Sequence, residues 1–333
     1  MSTASVDLFS VEPDRARAEA VARPIDVRLR ESFEHLFDVA GSRLGDTREI
    51  ADWLASGVPL RGMAHVVHAQ LLSALELEDE YLLARVADAI AQWPGEHGSL
   101  MVTSLFGGDR PYVLDTLYFD VCDEGSRRTY GHFLDADPLS DDERLVSKPA
   151  LQKAVRRWAR VDPDGYAEAS ALISELILVH SDTSNAGSSA AALGLVRISH
   201  LKPGQGWSRY FEALAHEAGH QVLNLLLSAD PMIENDQERL YGSPLRQEQR
   251  PLTAILHAGF VLARTLRAIR RLEADSLYDP ATDEVVSAYN NARNEASFAA
   301  KFEDCRATLA THAQFTGQGQ RFFDALPGLA YDA

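Results

Sequence analysis

A mainly helical α+β fold, with a zincin-like metal-binding helix and a small mixed sheet, is what the sequence predicts. Three observations carry it. Apolar residues recur at helical spacing over most of the chain, and a few short stretches rich in β-formers interrupt that pattern. A His-Glu-x-x-His sequence, His216-Glu217-Ala218-Gly219-His220, lies inside the apolar run 211–227.

Residues 1 to about 24 are polar and are expected to be loosely packed. From 27 to 40, Phe33, Leu36, Phe37 and Ala40 fall on one side of a helix. Helical patterns follow at 47–56, 61–75 and 78–93, the last stopped by Trp93-Pro94-Gly95. His65 and His68 lack an acidic or cysteine companion in register and read as ordinary helix residues. β-formers at 99–106 and 112–122 predict two strands joined through Gly107-Gly108-Asp109. The acidic stretch 123–149, with Pro and Gly, reads as a loop and as the boundary between a helical region (1–149) and a metal-binding catalytic region (150–333).

Helix resumes from 150 to about 177, broken near Asp162-Pro163-Asp164-Gly165. Strands at 176–180 and 193–199 flank a loop of small residues, and the second is expected to be a substrate-lining edge strand. Pro203-Gly204-Gln205-Gly206 then turns the chain into the metal helix, with Ser208 as its N-cap. After a polar segment, Pro251 fits the first position of a helix reaching about 274. Further helices fill 281–314 and 319–326.

A net charge of −17 without a compensating basic stripe argues against a duplex nucleic acid partner. Cys122 and Cys305 form neither a disulfide framework nor a cysteine metal site. The first residues lack a basic stretch followed by an apolar one, and no apolar run approaches membrane-spanning length. The expected setting is the reducing cytoplasm, with no membrane partner.

At about 100° per residue, His220 lies about 40° round the helix from His216, and Glu217 about 60° from His220. Two imidazoles one turn apart can hold one metal, and the carboxylate between them can reach a bound water or ligand. Leu214, Val222, Leu223, Leu225, Leu226 and Leu227 surround this polar sector. A buried glutamate among them would be costly without a nearby cation. A metzincin would need Gly and His where Leu223 and Leu226 stand, so that class is excluded. Glu234 and Glu238 are second choices for a third ligand. His257 is the better one, because a lone imidazole in an apolar helix needs a partner.

Arg250 immediately precedes a helix start, where the macrodipole disfavours a cation unless an anion sits against both. Arg246 is close in sequence, and Arg264 shares a helix face with His257; each also reads as an ordinary surface arginine. Together they suggest an anionic co-substrate. His180-Ser181-Asp182 has the His-x-Asp pairing used by jelly-roll iron oxygenases, but in a mainly helical chain it reads as chance.

The order of these motifs resembles a known family. His-Glu-x-x-His on an apolar helix is followed by Ser243-Pro244-Leu245-Arg246, Arg250-Pro251-Leu252 and Leu256-His257-Ala258. This is similar to the HExxH-motif peptide-modification proteins encoded with ribosomally made peptide natural products, and the similarity covers roughly 180–270. It implies a 2-oxoglutarate- and Fe(II)-dependent dioxygenase that hydroxylates the β-carbon of a residue in a precursor peptide. His216, His220 and His257 would hold the iron, Arg250 or Arg246 would bind 2-oxoglutarate, and the region 1–149 would contribute to peptide binding. Whether Glu217 binds metal, positions water or orients a ligand stays open. An all-histidine set also departs from the usual two-His-one-carboxylate iron triad. Two other functions compete: a zinc metallopeptidase with Glu217 as general base, and a non-catalytic helical binding module with structural histidines.

Overall fold

The computed structural model describes residues 7–93, 100–130, 133–243, 245, 248–285 and 297–332. In chain order the elements are α1 (Arg15–Ala40), α2 (Arg48–Ala55), α3 (Met63–Glu76), α4 (Glu80–Gln92), β1 (Met101–Ser104), α5 (Tyr112–Tyr130) and α6 (Asp141–Val161). They continue with α7 (Pro163–Leu172), β2 (Glu175–Val179), β3 (Ala186–Ser188), β4 (Leu195–Ser199), α8 (Ser208–Ala229), α9 (Leu252–Glu273), α10 (Pro280–Asp283), α11 (Phe298–His312) and α12 (Gly317–Tyr331). The protein is mainly helical with one small mixed sheet, an α+β arrangement.

Two adjacent expectations fail here. Residues 112–122 are helix, not strand: Leu114, Leu117, Tyr118 and Val121 are buried at i, i+3, i+4 and i+7. That spacing outweighs the β-forming composition, because it gathers four apolar side chains on one face. Nor is 123–149 a loop throughout: α5 runs on to Tyr130 and α6 begins at Asp141, and the described residues 133–140 between them are the irregular part. A capping box opens α6. The backbone N–H of Glu143 donates to Ser140 Oγ (3.3 Å), while the Ser140 N–H and hydroxyl donate to Glu143 Oε2 (2.9 and 2.8 Å).

The loosely packed N-terminus expected up to residue 24 is instead helical from Arg15, with Asp14 accepting from the Arg17 N–H (3.1 Å). Arg17, Ala18 and Val21 are buried. Ser208 is the first residue of α8, with Trp207 in the capping position. Pro251 caps α9 rather than opening it, a one-residue shift of the usual kind.

The chain divides into two compact units, and the single cut expected at 149/150 becomes an interleaved pattern. One unit takes residues 1–21, 149–169 and 201–333; the other takes 22–148 and 170–200. The second unit holds the sheet, in the order β1-β2-β4-β3. β1, β2 and β4 are parallel, and β3 pairs antiparallel with β4. β4 is therefore an interior strand, not the edge strand expected; the three-residue β3 covers it. The core of this unit gathers around Phe33, Val66, Val67, Leu71, Val86 and Leu117.

In the first unit α9 packs against α8, α11 and α12. Its most apolar 18-residue window has mean hydropathy 1.4 and is 78% buried. The helix is long and apolar enough to cross a membrane, contrary to the expectation that no run comes near that length. Its burial inside the unit is what such a sequence requires of a core helix. At the α8–α9 contact Gly219 faces Val261 so closely that a Cβ would lie 3.2 Å from Val261 Cγ2. The absent side chain lets the two helices approach, and it lies beside His220.

Candidate metal centre

α8 is buried almost all round, so its polar residues stand out. Glu212, His216, Glu217 and Gln221 are all buried among its leucines and alanines. His216 Nε2 and His220 Nε2 lie 3.1 Å apart, on neighbouring turns. Glu217 joins them, each residue offering one ligand atom within 4.8 Å of the others. Donors 2.0–2.2 Å from one cation would sit roughly 3.3 Å apart in a tetrahedral arrangement, so the two imidazoles are spaced to share one.

His257, in the second turn of α9, also reaches this group. Its Nε2 lies 2.6 Å from His220 Nδ1, and the two rings have centroids 4.5 Å apart. The contact uses the His220 nitrogen opposite the one that faces His216. One imidazole cannot aim both nitrogens at a single ion, so this bond and a three-histidine site are alternatives. Burial first, and His220 second, push His257 down to about 3, which leaves it neutral with a lone pair to offer.

Glu212 stands one turn before His216, with Oε1 3.6 Å from His216 Nδ1. Its other oxygen accepts from Arg209. Burial raises the Glu212 carboxyl, and Arg209 opposes the rise. A carboxylate facing the far nitrogen of a histidine fixes the ring and turns the near nitrogen toward a metal. Sequence reasoning missed Glu212. Its signal is Glu-x-x-x-His, an i,i+4 pair on the same helix.

Of the three arginines, Arg246 falls outside the described residues. Arg250 exchanges two backbone hydrogen bonds with Tyr241 (2.8 Å each), one residue before the α9 cap. Its buried Nε has no hydrogen-bond partner among the described residues. Arg264 does not serve an anion from outside: it and Arg17 clasp the two oxygens of the buried Glu168. Glu234 and Glu238 do not join the His216–Glu217–His220 group; the Glu234 N–H is tied to Gln314 O (2.8 Å).

His65 and His68 behave as helix residues. His68 Nε2 pairs with Ser32 Oγ (2.8 Å) and packs edge-on to Phe33, while burial brings His65 down to about 4. His180 is different. Its Nε2 is 3.8 Å from Asp182 Oδ2, but its closer partners are Glu143 and His200, neither of which the sequence reading singled out. Glu143, His180 and His200 form a second group able to hold a metal. No protein-family model matches this chain, and no curated protein matches it.

Proposed function

We propose that the chain is an Fe(II)- and 2-oxoglutarate-dependent hydroxylase acting on the β-carbon of a residue in a ribosomally made precursor peptide, with α8 as a zincin-like metal helix. The observation that supports it most is the His216–Glu217–His220 group on one helix, with His216 and Glu217 buried, His220 half-buried and His257 against it. Its donors suit a first-row transition ion, and the orphaned Nε of Arg250 suits a carboxylate.

In this reading His216 and His220 hold the iron and Glu212 orients His216. His257 would be the third ligand, a role that excludes its present contact with His220. Arg250 binds a carboxylate of 2-oxoglutarate, and the apolar residues of α8 exclude water. Bound iron, 2-oxoglutarate and dioxygen supply the oxidising chemistry. The cognate precursor peptide, incubated with anaerobically reconstituted enzyme and then exposed to air, should gain one oxygen, with an equal amount of succinate formed. No succinate and no mass gain with that peptide would end the proposal.

One observation favours a second reading, a zinc metallopeptidase. Glu217, rather than His257, shares the group with His216 and His220, as a general base on zinc-bound water would. Peptide cleavage that needs no 2-oxoglutarate and disappears in Glu217→Gln would establish this reading in place of the first.

A further inference from the structure

We propose a second metal site, separate from α8, in which Glu143, His180 and His200 bind a Zn²⁺-class divalent ion that ties the start of α6 to the ends of β2 and β4. The proposal does not depend on the reaction assigned to the α8 centre.

The placement starts from strand register. β2 and β4 are parallel, with Val179 opposite Ser199, so the next residue on each strand is a histidine. His180 and His200 leave the sheet side by side and stack with centroids 4.4 Å apart and planes 6° from parallel. Both backbones are fixed. The His200 N–H donates to Val179 O (2.8 Å), and His180 exchanges two bonds with Asp137 (2.8 and 2.9 Å).

The carboxylate comes ready oriented. Glu143 Oε2 is occupied by the Ser140 capping box, which turns Oε1 toward the two rings. Oε1 lies 2.7 Å from His180 Nδ1 and 3.6 Å from His200 Nε2. These separations bracket the roughly 3.3 Å expected between donors of one tetrahedral ion. The second is too long for a hydrogen bond, so the carboxylate engages only one ring directly.

Beyond the donors, Asp182 faces the far nitrogen of His180 at 3.8 Å, the position from which a carboxylate orients a metal-binding imidazole. The Ser181 N–H lies 3.4 Å from His200 Nδ1. Metal on Nε2 would put a proton on Nδ1 and end that contact, a small loss at the limit of hydrogen-bonding range. Asp135 is already engaged, accepting from Ser181 Oγ, Thr183 N and Thr183 Oγ1 at 2.6–3.0 Å. It adds negative charge without competing for a ligand position.

Two imidazoles and one carboxylate leave a fourth position for water, a set suited to Zn²⁺. The test uses the full chain carrying His216→Ala and His220→Ala, stripped with chelator and titrated with Zn²⁺ or Co²⁺ alone. One equivalent should bind, with the intense visible absorption of tetrahedral Co²⁺. Adding His200→Ala should abolish both signals, and Glu143→Gln should weaken binding at least ~10-fold. If the double variant does not fold, wild-type protein should bind one equivalent more than His200→Ala. No ion bound in the His216→Ala/His220→Ala chain, an equivalent still bound there once His200→Ala is added, or equal stoichiometry of wild type and His200→Ala would overturn the site.

Discussion

Gly319 offers the sharpest test of how the first unit is assembled. It is the third residue of α12, and its N–H donates to the capping Thr316 Oγ1 (2.9 Å). An alanine Cβ there would overlap Met232 O and lie 2.7 Å from Met232 C. Both are backbone atoms, so no side-chain rotation relieves the clash, and the start of α12 must move by about an ångström or more. That movement breaks the Thr316 N–H bond to Met232 O (3.0 Å) and distorts the cap.

Each of those two losses is worth about 1 kcal/mol, and the overpacking costs roughly 1–3 kcal/mol. Alanine's better helix propensity returns about 1 kcal/mol. Gly319→Ala should therefore destabilise by about 2–4 kcal/mol, read from urea denaturation followed by far-UV circular dichroism. Gly317→Ala in the same turn is the control. Nothing lies within 4 Å of its added Cβ, so it should be neutral or slightly stabilising. Equal stability of Gly319→Ala and Gly317→Ala would refute the close approach of α12 to Met232.

Other perturbations probe other parts of the molecule. Glu212→Gln should weaken metal binding at the α8 centre by about 10–100-fold, with the fold intact by circular dichroism; unchanged affinity would remove Glu212 from the site. Burial pushes the Cys305 thiol up to about 12 and raises Cys122 as well. Both should resist alkylation at about pH 8 in the native protein and react on unfolding, and fast native labelling of Cys305 would contradict its burial. His65 is held down at about 4 by burial, so the unfolded chain takes up its proton first as pH falls. Stability present above the unfolded value, about 6.5, should be lost between there and about pH 4. His65→Gln should flatten that part of the pH–stability curve relative to wild type, and an identical slope would argue against the assignment.

How much of this is legible in the sequence depends on whether the signal is local. α8 and α9 can be read because long apolar runs end at recognisable polar stretches and at Pro251. β2 and β4 can be read as short β-forming runs, but their pairing order cannot, and the three residues of β3 carry too little pattern to register. α5 resembles a strand in sequence because Tyr112, Val113, Thr116 and Phe119 are all β-formers. What decides for a helix is the buried spacing of Leu114, Leu117, Tyr118 and Val121.

The two candidate centres differ in the same way. His216, Glu217 and His220 sit on adjacent turns and declare themselves by spacing. Glu143, His180 and His200 are brought together by sheet register and a capping box, so no window of sequence contains them. Local clues do exist. Ser140-Asp141-Asp142-Glu143 has the capping-box pattern, and each of two β-forming runs ends in histidine.

The interleaving of the chain has a practical consequence for dissecting the protein. A fragment starting at residue 150 would carry the α8 centre but lack Arg17, and so leave the buried Glu168 with only Arg264 to balance it. Removing one partner from such a buried cluster costs about 3–5 kcal/mol. It would also retain residues 170–200 without the strand β1 they pair with. Neither half, expressed separately, inherits a whole core, so tests of metal binding and of the proposed reaction need the intact polypeptide.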